Sequence, residues 1–297
     1  MGYANLNATD FEGVKKLIHD AMEKTRQRSG YFQHTSRGDR CSPGELEHAF
    51  QEALMKSLGD LTKEVGEVGW KWWREQPLRT DALTNRQRIN VDIVGKDRNG
   101  YAVAIELKYV TLAQSKDKEA FKPPNDAPAF PYDVVKDALK VELLLQHEAG
   151  LEEANAKPVY GVSIALTNDS RFWGGSNKPP QGWSRNFGNA FVKGGPLPRV
   201  IKTNGSNPDN CIFKQKRCHI SLGLAWDLSW HHFSDVDDLP PNAAKFKYAL
   251  LAPNTTRQKD GVWEIQYRHD KDDSAYIPFL SNETRERFFD KHEEMWA

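Results

Sequence analysis

Two carboxylates and a lysine lie on one face of an otherwise apolar pair of predicted strands. The stretch INVDIVGKDRNGYAVAIELKY, residues 89–109, contains two β-rich runs that flank an Asn-Gly turn signal. Strict alternation places Asp92 of the first run on the same face as Glu106 and Lys108 of the second run. The other face is apolar and consists of Ile89, Val91, Ile93, Val103, Ile105, Leu107 and Tyr109. The hairpin is therefore predicted to lie inside the protein.

Charged groups in the middle of buried strands require a partner. A buried carboxylate costs free energy unless it is paired or binds a metal ion. Ala102 and Ala104 lie beside the carboxylates and are expected to leave space there. Asp92 and Glu106 would suit Mg²⁺, which is bound by one or two carboxylates, water molecules and phosphate oxygens. Lys108 can neutralise a phosphate or, with a lowered pKa, activate a water molecule. A structural salt bridge between Glu106 and Lys108 is the alternative.

The turn sets the expected register of the hairpin. If Gly95 faces Tyr101 across the loop KDRNG, Asp92 lies opposite Ala104. A slip by one residue would turn Asp92 towards the apolar face, because successive side chains of a strand point to opposite sides. The apolar pattern therefore keeps Asp92 and Glu106 on one face.

The flanking segments predict a mixed α/β fold. Ser42 as the N-cap, Pro43 at the first helical position and Glu45 in a capping box begin a strong helix with an apolar stripe. The expected elements in chain order are a helix over 9–28, a helix over 42–58, a strand near 64–74, the hairpin over 89–109, a helix over 133–148 and a strand over 159–167. This order predicts a mixed sheet with helices on both sides.

The C-terminal part contains a basic, loop-rich tract followed by strands. Residues 171–218 contain nine basic residues and one acid, which gives +8 in a chain of zero net charge. Such a tract suggests contact with a polyanion, and a solvated loop is the alternative. The candidate nucleic-acid contacts are Arg171, Lys178, Arg185, Lys214, Lys216 and Arg217. Strands are expected at 219–230 and 245–253, and a helix at 283–296. Of His231 and His232, one is expected to face the core and one the solvent.

Asp92, followed by Glu106-Leu107-Lys108 on the next strand, resembles the PD-(D/E)xK nuclease superfamily. The segments YDVVKDALKVE and ALTNDSRFW also look like a bacterial branch of that superfamily, and the resemblance covers about half of the chain. Val91 departs from the pattern, since the family's name expects Pro there. The resemblance implies that Asp92 and Glu106 bind the metal. It also implies that Lys108 positions the attacking water or stabilises the transition state.

Many members of this superfamily add a glutamate from the preceding helix. Glu45, Glu47 and Glu52 are the candidates here. Glu45 has a competing role in the capping box, and Glu52 lies on the other flank of the apolar stripe. Glu47 precedes Phe50 by three residues and Leu54 by seven, so it borders the buried side of the helix. Glu47 is therefore the favoured catalytic partner.

The resemblance implies a restriction-endonuclease-like fold and a Mg²⁺- or Mn²⁺-dependent endonuclease that hydrolyses DNA in restriction or anti-phage defence. The alternative is an inactive nucleic-acid- or protein-binding module on the same fold. We expect a single domain over 1–297, with its core at about 42–170, the basic tract at 171–218 and a strand-rich extension at 219–297. A homodimer is a common arrangement among nucleases that cut both strands. No apolar run approaches the roughly 20 residues of a membrane span, and three cysteines form no disulfide framework, which favours a cytoplasmic location.

Overall fold

The computed structural model gives the helices and strands of most of the chain. It describes residues 3–27, 43–63, 69–79, 89–111, 113–114, 121–122, 130–146, 150–151, 155–173, 190–198, 200–201, 220–236, 243–258 and 263–265. The helices in these ranges are α1 (Phe11–Gln27), α2 (Pro43–Thr62) and α3 (Phe130–Gln146), with a 3₁₀ turn at Ser170–Phe172, and residues 190–193 are also helical. The strands are β1 (Lys71–Arg79), β2 (Ile89–Lys96), β3 (Tyr101–Val110), β4 (Ala113–Gln114), β5 (Phe121–Lys122), β6 (Gly150–Leu151), β7 (Lys157–Thr167), β8 (Gly195–Pro196), β9 (Val200–Ile201), β10 (Ile220–Ser221), β11 (Trp226–Asp235), β12 (Lys245–Pro253), β13 (Thr255–Arg257) and β14 (Trp263–Ile265).

The fold is mixed α/β, built on an eight-stranded sheet in the order β6-β1-β2-β3-β7-β12-β11-β8. β3 and β7 run parallel, whereas the other neighbouring strands of this sheet are antiparallel. A parallel pair requires a crossover connection, and α3 lies between β3 and β7 in the chain. Three two-stranded sheets pair β4 with β5, β9 with β10 and β13 with β14. The predicted mixed sheet with flanking helices is therefore confirmed.

The two faces of the sheet bury separate cores. On one face, Ile105 and Leu107 of β3 belong to the core that contains α1 and Phe50 of α2. On the other face, Ala102 and Ala104 belong to the core that contains α3. This burial confirms that the apolar face of the hairpin lies inside, and it places helices on both sides of the sheet.

The space expected beside Ala102 and Ala104 is occupied, and this prediction is wrong. Both alanines are fully buried beneath α3. A Cβ atom added to Gly161 of β7 would lie 2.5 Å from Cγ1 of Val141 on α3 and 3.0 Å from the carbonyl oxygen of Ala104. The small residues therefore allow the helix to approach the strands closely.

The hairpin turn is tighter than predicted. The N–H of Asp97 donates to the carbonyl oxygen of Tyr101 at 2.9 Å. The buried Asp97 carboxylate accepts from the N–H groups of Asn99 and Tyr101 and, at 2.9 Å, from that of Ala8. Gly100 has φ +87°, a conformation that suits glycine. Asp97, and not Gly95, therefore closes the loop.

The predicted pairing of Asp92 with Ala104 is wrong for this reason. Ile93 pairs with Ile105 and Val94 with Ala104, so the register differs from the prediction by two residues. An even shift preserves the alternation, so Ile93, Val103, Ile105, Leu107 and Tyr109 share one core as predicted. Val91 departs from the prediction, since it lies in the core of the other face with Val94 and Ala104. The pairing ends at Ile93 and Ile105, one residue before Asp92 on β2 and one residue before Glu106 on β3.

Most other predicted elements are present, with changed ends. α1, α2, α3 and β7 correspond to the predicted helices and strand, and the N–H of Gly13 donates to Oδ1 of Asp10, which caps α1. The strand near 64–74 lies further along the chain, at Lys71–Arg79. Strands also occur near the predicted positions 219–230 and 245–253. Ser42, the Glu45 side chain and the helix expected at 283–296 lie outside the described residues. Among the helices of the described ranges, none has the length and apolar character that crossing a membrane requires.

Candidate active site

The site lies where strands β2 and β3 separate. Their pairing extends from the turn to Ile93 and Ile105. Beyond this point, two backbone N–H groups of β3 donate to carboxylates. The N–H of Leu107 donates to Oδ2 of Asp92 at 2.7 Å, and that of Tyr109 donates to Oε2 of Glu47 at 2.9 Å. These two N–H groups of β3 thus hold the side chains of Asp92 and Glu47 in fixed positions.

Helix α2 supplies two polar residues to this opening. Glu47 and Gln51 lie one turn apart and so share a side of the helix. Nε2 of the buried Gln51 donates to the carbonyl oxygen of Asp92 at 2.6 Å. Gln51 therefore holds the backbone of Asp92, while Leu107 holds its side chain. Sequence analysis missed Gln51, although a polar residue one turn after Glu47 and beside an apolar stripe was a usable signal.

The strand on the other side of Asp92 is also irregular. Arg74 of β1 pairs with Ile93, and Gln76 pairs with Val91. Between them, Glu75 has φ 49°, which is uncommon for a residue other than glycine. Backbone strain of this kind is often found at functional sites. Asp92 therefore lies at a local distortion of the sheet on both sides.

Glu106 is fully buried and is paired through only one of its oxygens. Oε2 lies 2.8 Å from Nζ of Lys140 on α3, and that Nζ lies 3.1 Å from Oδ1 of Asp137. Oε1 of Glu106 is buried and has no hydrogen-bond partner within the described part of the chain. A buried polar atom without a partner costs free energy and calls for an explanation. A bound cation would satisfy this oxygen.

Lys108 reaches Glu47 at the mouth of the opening. Its Nζ lies 3.3 Å from Oε2 of Glu47, and its side chain is 29% exposed. Burial lowers the pKa of Lys108, but the negative charges of Glu47, Asp137 and Asp133 outweigh that effect and raise the pKa above its ordinary value. The predicted alternative of a lysine with a lowered pKa is therefore wrong for this structure. Lys108 is an ammonium group at neutral pH.

The two central carboxylates have raised pKa values. Burial is the main cause for Asp92, whose pKa rises to about 6 although the nearby Lys140 lowers it. Burial also raises the pKa of Glu106 well above its ordinary value, and the charges of Asp92 and Asp137 add to this effect. A further positive charge between the two carboxylates would favour their ionised forms.

The formal charge of the cluster leaves a place for such a cation. Four carboxylates and two ammonium groups give −2 when all are ionised; they are Glu47, Asp92, Glu106, Asp137, Lys108 and Lys140. Asp92 and Glu106 are the residues that could hold a metal, through Oδ1 of Asp92 and the unpartnered Oε1 of Glu106. Within the described ranges, no group of three or more His, Cys, Asp or Glu residues is arranged to bind a metal. Two carboxylates fit Mg²⁺, which keeps several water ligands.

Two other glutamates of the helices, Glu52 and Glu142, have partners outside the site. Glu52 lies 2.8 Å from Nη1 of Arg74 on the surface and does not join the site. Glu142 of α3 accepts hydrogen bonds from the N–H of Gly223 and from Nε1 of Trp226, so it anchors a loop. Of the two candidate glutamates whose side chains the structure describes, Glu47 is thus the one that contacts Lys108.

The predicted nucleic-acid contacts remain largely predictions. Arg171 is half-exposed and forms an ion pair with the buried Asp169. The remaining five candidates lie outside the described residues and are Lys178, Arg185, Lys214, Lys216 and Arg217.

No protein-family model matches this chain, and neither a curated protein nor a solved structure matches it.

Proposed function

We propose that this chain is a Mg²⁺-dependent endonuclease of the PD-(D/E)xK class that hydrolyses phosphodiester bonds in DNA. The observation that carries the proposal is the grouping of Asp92, Glu106 and Lys108 at the open end of one hairpin, with Glu47 supplied by the preceding helix. The order of α2, three antiparallel strands, α3 and a parallel strand also supports the restriction-endonuclease-like fold that the resemblance implies.

Each residue of the site has a distinct task in this proposal. A Mg²⁺ ion held by Asp92 and Glu106 would polarise the scissile phosphate and lower the pKa of a bound water molecule. Lys108, as an ammonium group, stabilises the negative charge that develops on the phosphate. Glu47 orients Lys108 through their ion pair. Gln51 and the N–H of Leu107 keep Asp92 in place, so little rearrangement accompanies the reaction.

DNA is the proposed substrate because of the basic tract at 171–218. Its formal charge of +8 suits a polyanionic backbone, and contacts to duplex phosphates make binding fall steeply with salt. Restriction or anti-phage defence is the proposed setting, and a homodimer would allow both strands to be cut. Mn²⁺ is expected to replace Mg²⁺, because both are bound by oxygen ligands.

A second function is favoured by one observation, the ion pair between Lys140 and Glu106. An internal ammonium already offsets part of the buried negative charge. A site whose charge is partly offset in this way could serve without a metal, as a nucleic-acid- or protein-binding module on the same fold. This alternative predicts binding of DNA without its hydrolysis.

The two functions are separated by incubating the purified chain with plasmid DNA, single-stranded DNA and RNA, each with Mg²⁺, Mn²⁺ or EDTA. The proposal predicts that DNA is cleaved with either metal and remains intact with EDTA. Asp92→Asn is the control for a contaminating nuclease, since it should show no cleavage under any of these conditions. Binding of DNA by the chain, with no cleavage in the presence of either Mg²⁺ or Mn²⁺, would favour the binding module.

A further inference from the structure

We infer that the site takes a single divalent cation, because the ammonium group of Lys140 occupies the position that a second cation would need. The inference rests on the proposed function for the presence of the first metal. Some nucleases use two metal ions about 3.5 to 4 Å apart, and these ions clamp the attacking and leaving oxygens. Such a pair needs carboxylate oxygens for both ions.

The oxygens that could hold a second ion are already paired with Lys140. Its Nζ lies 2.8 Å from Oε2 of Glu106 and 3.1 Å from Oδ1 of Asp137. Glu106 therefore offers Oε1 to a metal, while its other oxygen faces the ammonium group. Together with Oδ1 of Asp92, Oε1 of Glu106 provides oxygen ligands for one ion.

Lys140 has little freedom to leave this position. The side chains of Lys140, Glu106 and Asp137 are 16%, 1% and 9% exposed. Helix α3 is also held against the sheet, since a Cβ atom at Gly161 would lie 2.5 Å from Val141, the residue after Lys140. A second divalent cation near this ammonium group would meet strong repulsion, because solvent screens buried charges poorly.

The chain offers a matched control on the same helix. Lys136 and Asp133 repeat the spacing of Lys140 and Asp137 one turn earlier, with Nζ of Lys136 3.2 Å from Oδ1 of Asp133. Removing the ammonium group of Lys136 thus changes the charge of α3 by the same amount. An effect seen for Lys140 and not for Lys136 therefore reflects the position of Lys140 beside Glu106 and Asp137, and not the charge of α3 alone.

The test counts bound Mn²⁺ per chain by isothermal titration calorimetry and equilibrium dialysis, with electron paramagnetic resonance to detect coupled ion pairs. We expect one ion for the wild type, for Lys136→Met and for Lys140→Arg, which retains the positive charge. We expect two ions for Lys140→Met, because Oε2 of Glu106 and Oδ1 of Asp137 would then be accessible to a metal. Circular dichroism establishes that each variant is folded.

Two ions or none in the wild type would overturn the inference, and so would a single ion in folded Lys140→Met. If Lys140→Met does not fold, the number of Mn²⁺ ions bound by the wild type still tests the inference. Failure of the proposed function is distinguishable, since the measurement needs no substrate. One bound ion without any DNA cleavage would leave the inference standing and remove the nuclease assignment. DNA cleavage by a wild type that binds two ions would overturn the inference and leave the nuclease assignment standing.

Discussion

Nζ of Lys108 and the N–H of Tyr109 both contact the same atom, Oε2 of Glu47, at 3.3 and 2.9 Å. This single oxygen links α2 to the end of β3, next to the opening between β2 and β3. It fixes the backbone of the strand and, at the same time, the position of the ammonium group. Glu47 is therefore a positioning residue for Lys108.

Glu47→Gln should slow DNA cleavage without weakening DNA binding to a similar extent. The amide still offers an oxygen to the N–H of Tyr109, but the charge that orients Lys108 is lost. A hydrogen bond to a charged group contributes about 1.5–3 kcal/mol, so single-turnover cleavage should fall about 10- to 100-fold. The control is Glu52→Gln, since Glu52 is 62% exposed and pairs with Arg74 on the surface. Equal rates for Glu47→Gln and the wild type would contradict the positioning role.

Lys108→Ala should lower the rate of single-turnover cleavage far more than it lowers DNA affinity. An ammonium group that acts on developing charge contributes mainly in the transition state, and its loss is expected to cost about 100-fold or more. Lys108→Arg should recover only part of the rate, because a planar guanidinium cannot reproduce a compact point charge. A normal rate in Lys108→Ala, together with a lower melting temperature, would show instead that Lys108 has only a structural role.

The sequence predicted the face of β3 that carries Glu106 although its hairpin register was wrong by two residues. Alternation along a strand is insensitive to an even shift, so the face was determined locally. Local spacing also favoured Glu47. The role of Lys140 could not be predicted in this way, because its contact with Glu106 depends on how closely α3 packs against the sheet. The position of Gln51 likewise depends on the distortion around Asp92, which involves three separate segments of the chain.

Asp92 should make the metal-free protein less stable as pH rises. Its pKa is about 6 in the folded chain and 3.8 in its ordinary state. The folded state therefore binds more protons between these values, and the free energy of unfolding falls across this window. Asp92→Asn should remove this component and gain at most about 3 kcal/mol over the wild type at pH 7. Urea unfolding in EDTA at pH 4 and 7 measures the difference, and an advantage that is equal at both pH values would contradict the assignment.

His231 should have the opposite effect on stability. Burial lowers its pKa to about 4, and its ring lies 4.4 Å from that of His19, centre to centre. The unfolded chain binds the proton first, so stability falls as pH drops from about 6.5 to about 4. Because the ring is only half-buried, screening reduces the loss to about 1–2 kcal/mol.

His231→Gln should flatten this acid-side loss of stability, measured by urea unfolding at several pH values. The neighbouring exposed His232, which contacts Asp235 at 3.3 Å, provides the control variant His232→Gln. If both variants retain the wild-type slope, the packed histidine pair does not cause it. His231 is partly buried and His232 is exposed, which agrees with the prediction that one His faces the interior and the other the solvent.

The most direct test of the nuclease assignment is hydrolysis of a supercoiled plasmid by the wild type and by Glu106→Gln under identical conditions. The glutamine keeps the shape of the side chain and an oxygen for Lys140, but it removes the negative charge proposed to bind the metal. We predict that the wild type cleaves the plasmid with Mg²⁺ and not with EDTA, and that folded Glu106→Gln binds the DNA without cleaving it. An intact plasmid after incubation with the wild type in Mg²⁺ and in Mn²⁺, or wild-type cleavage by Glu106→Gln, would contradict the account.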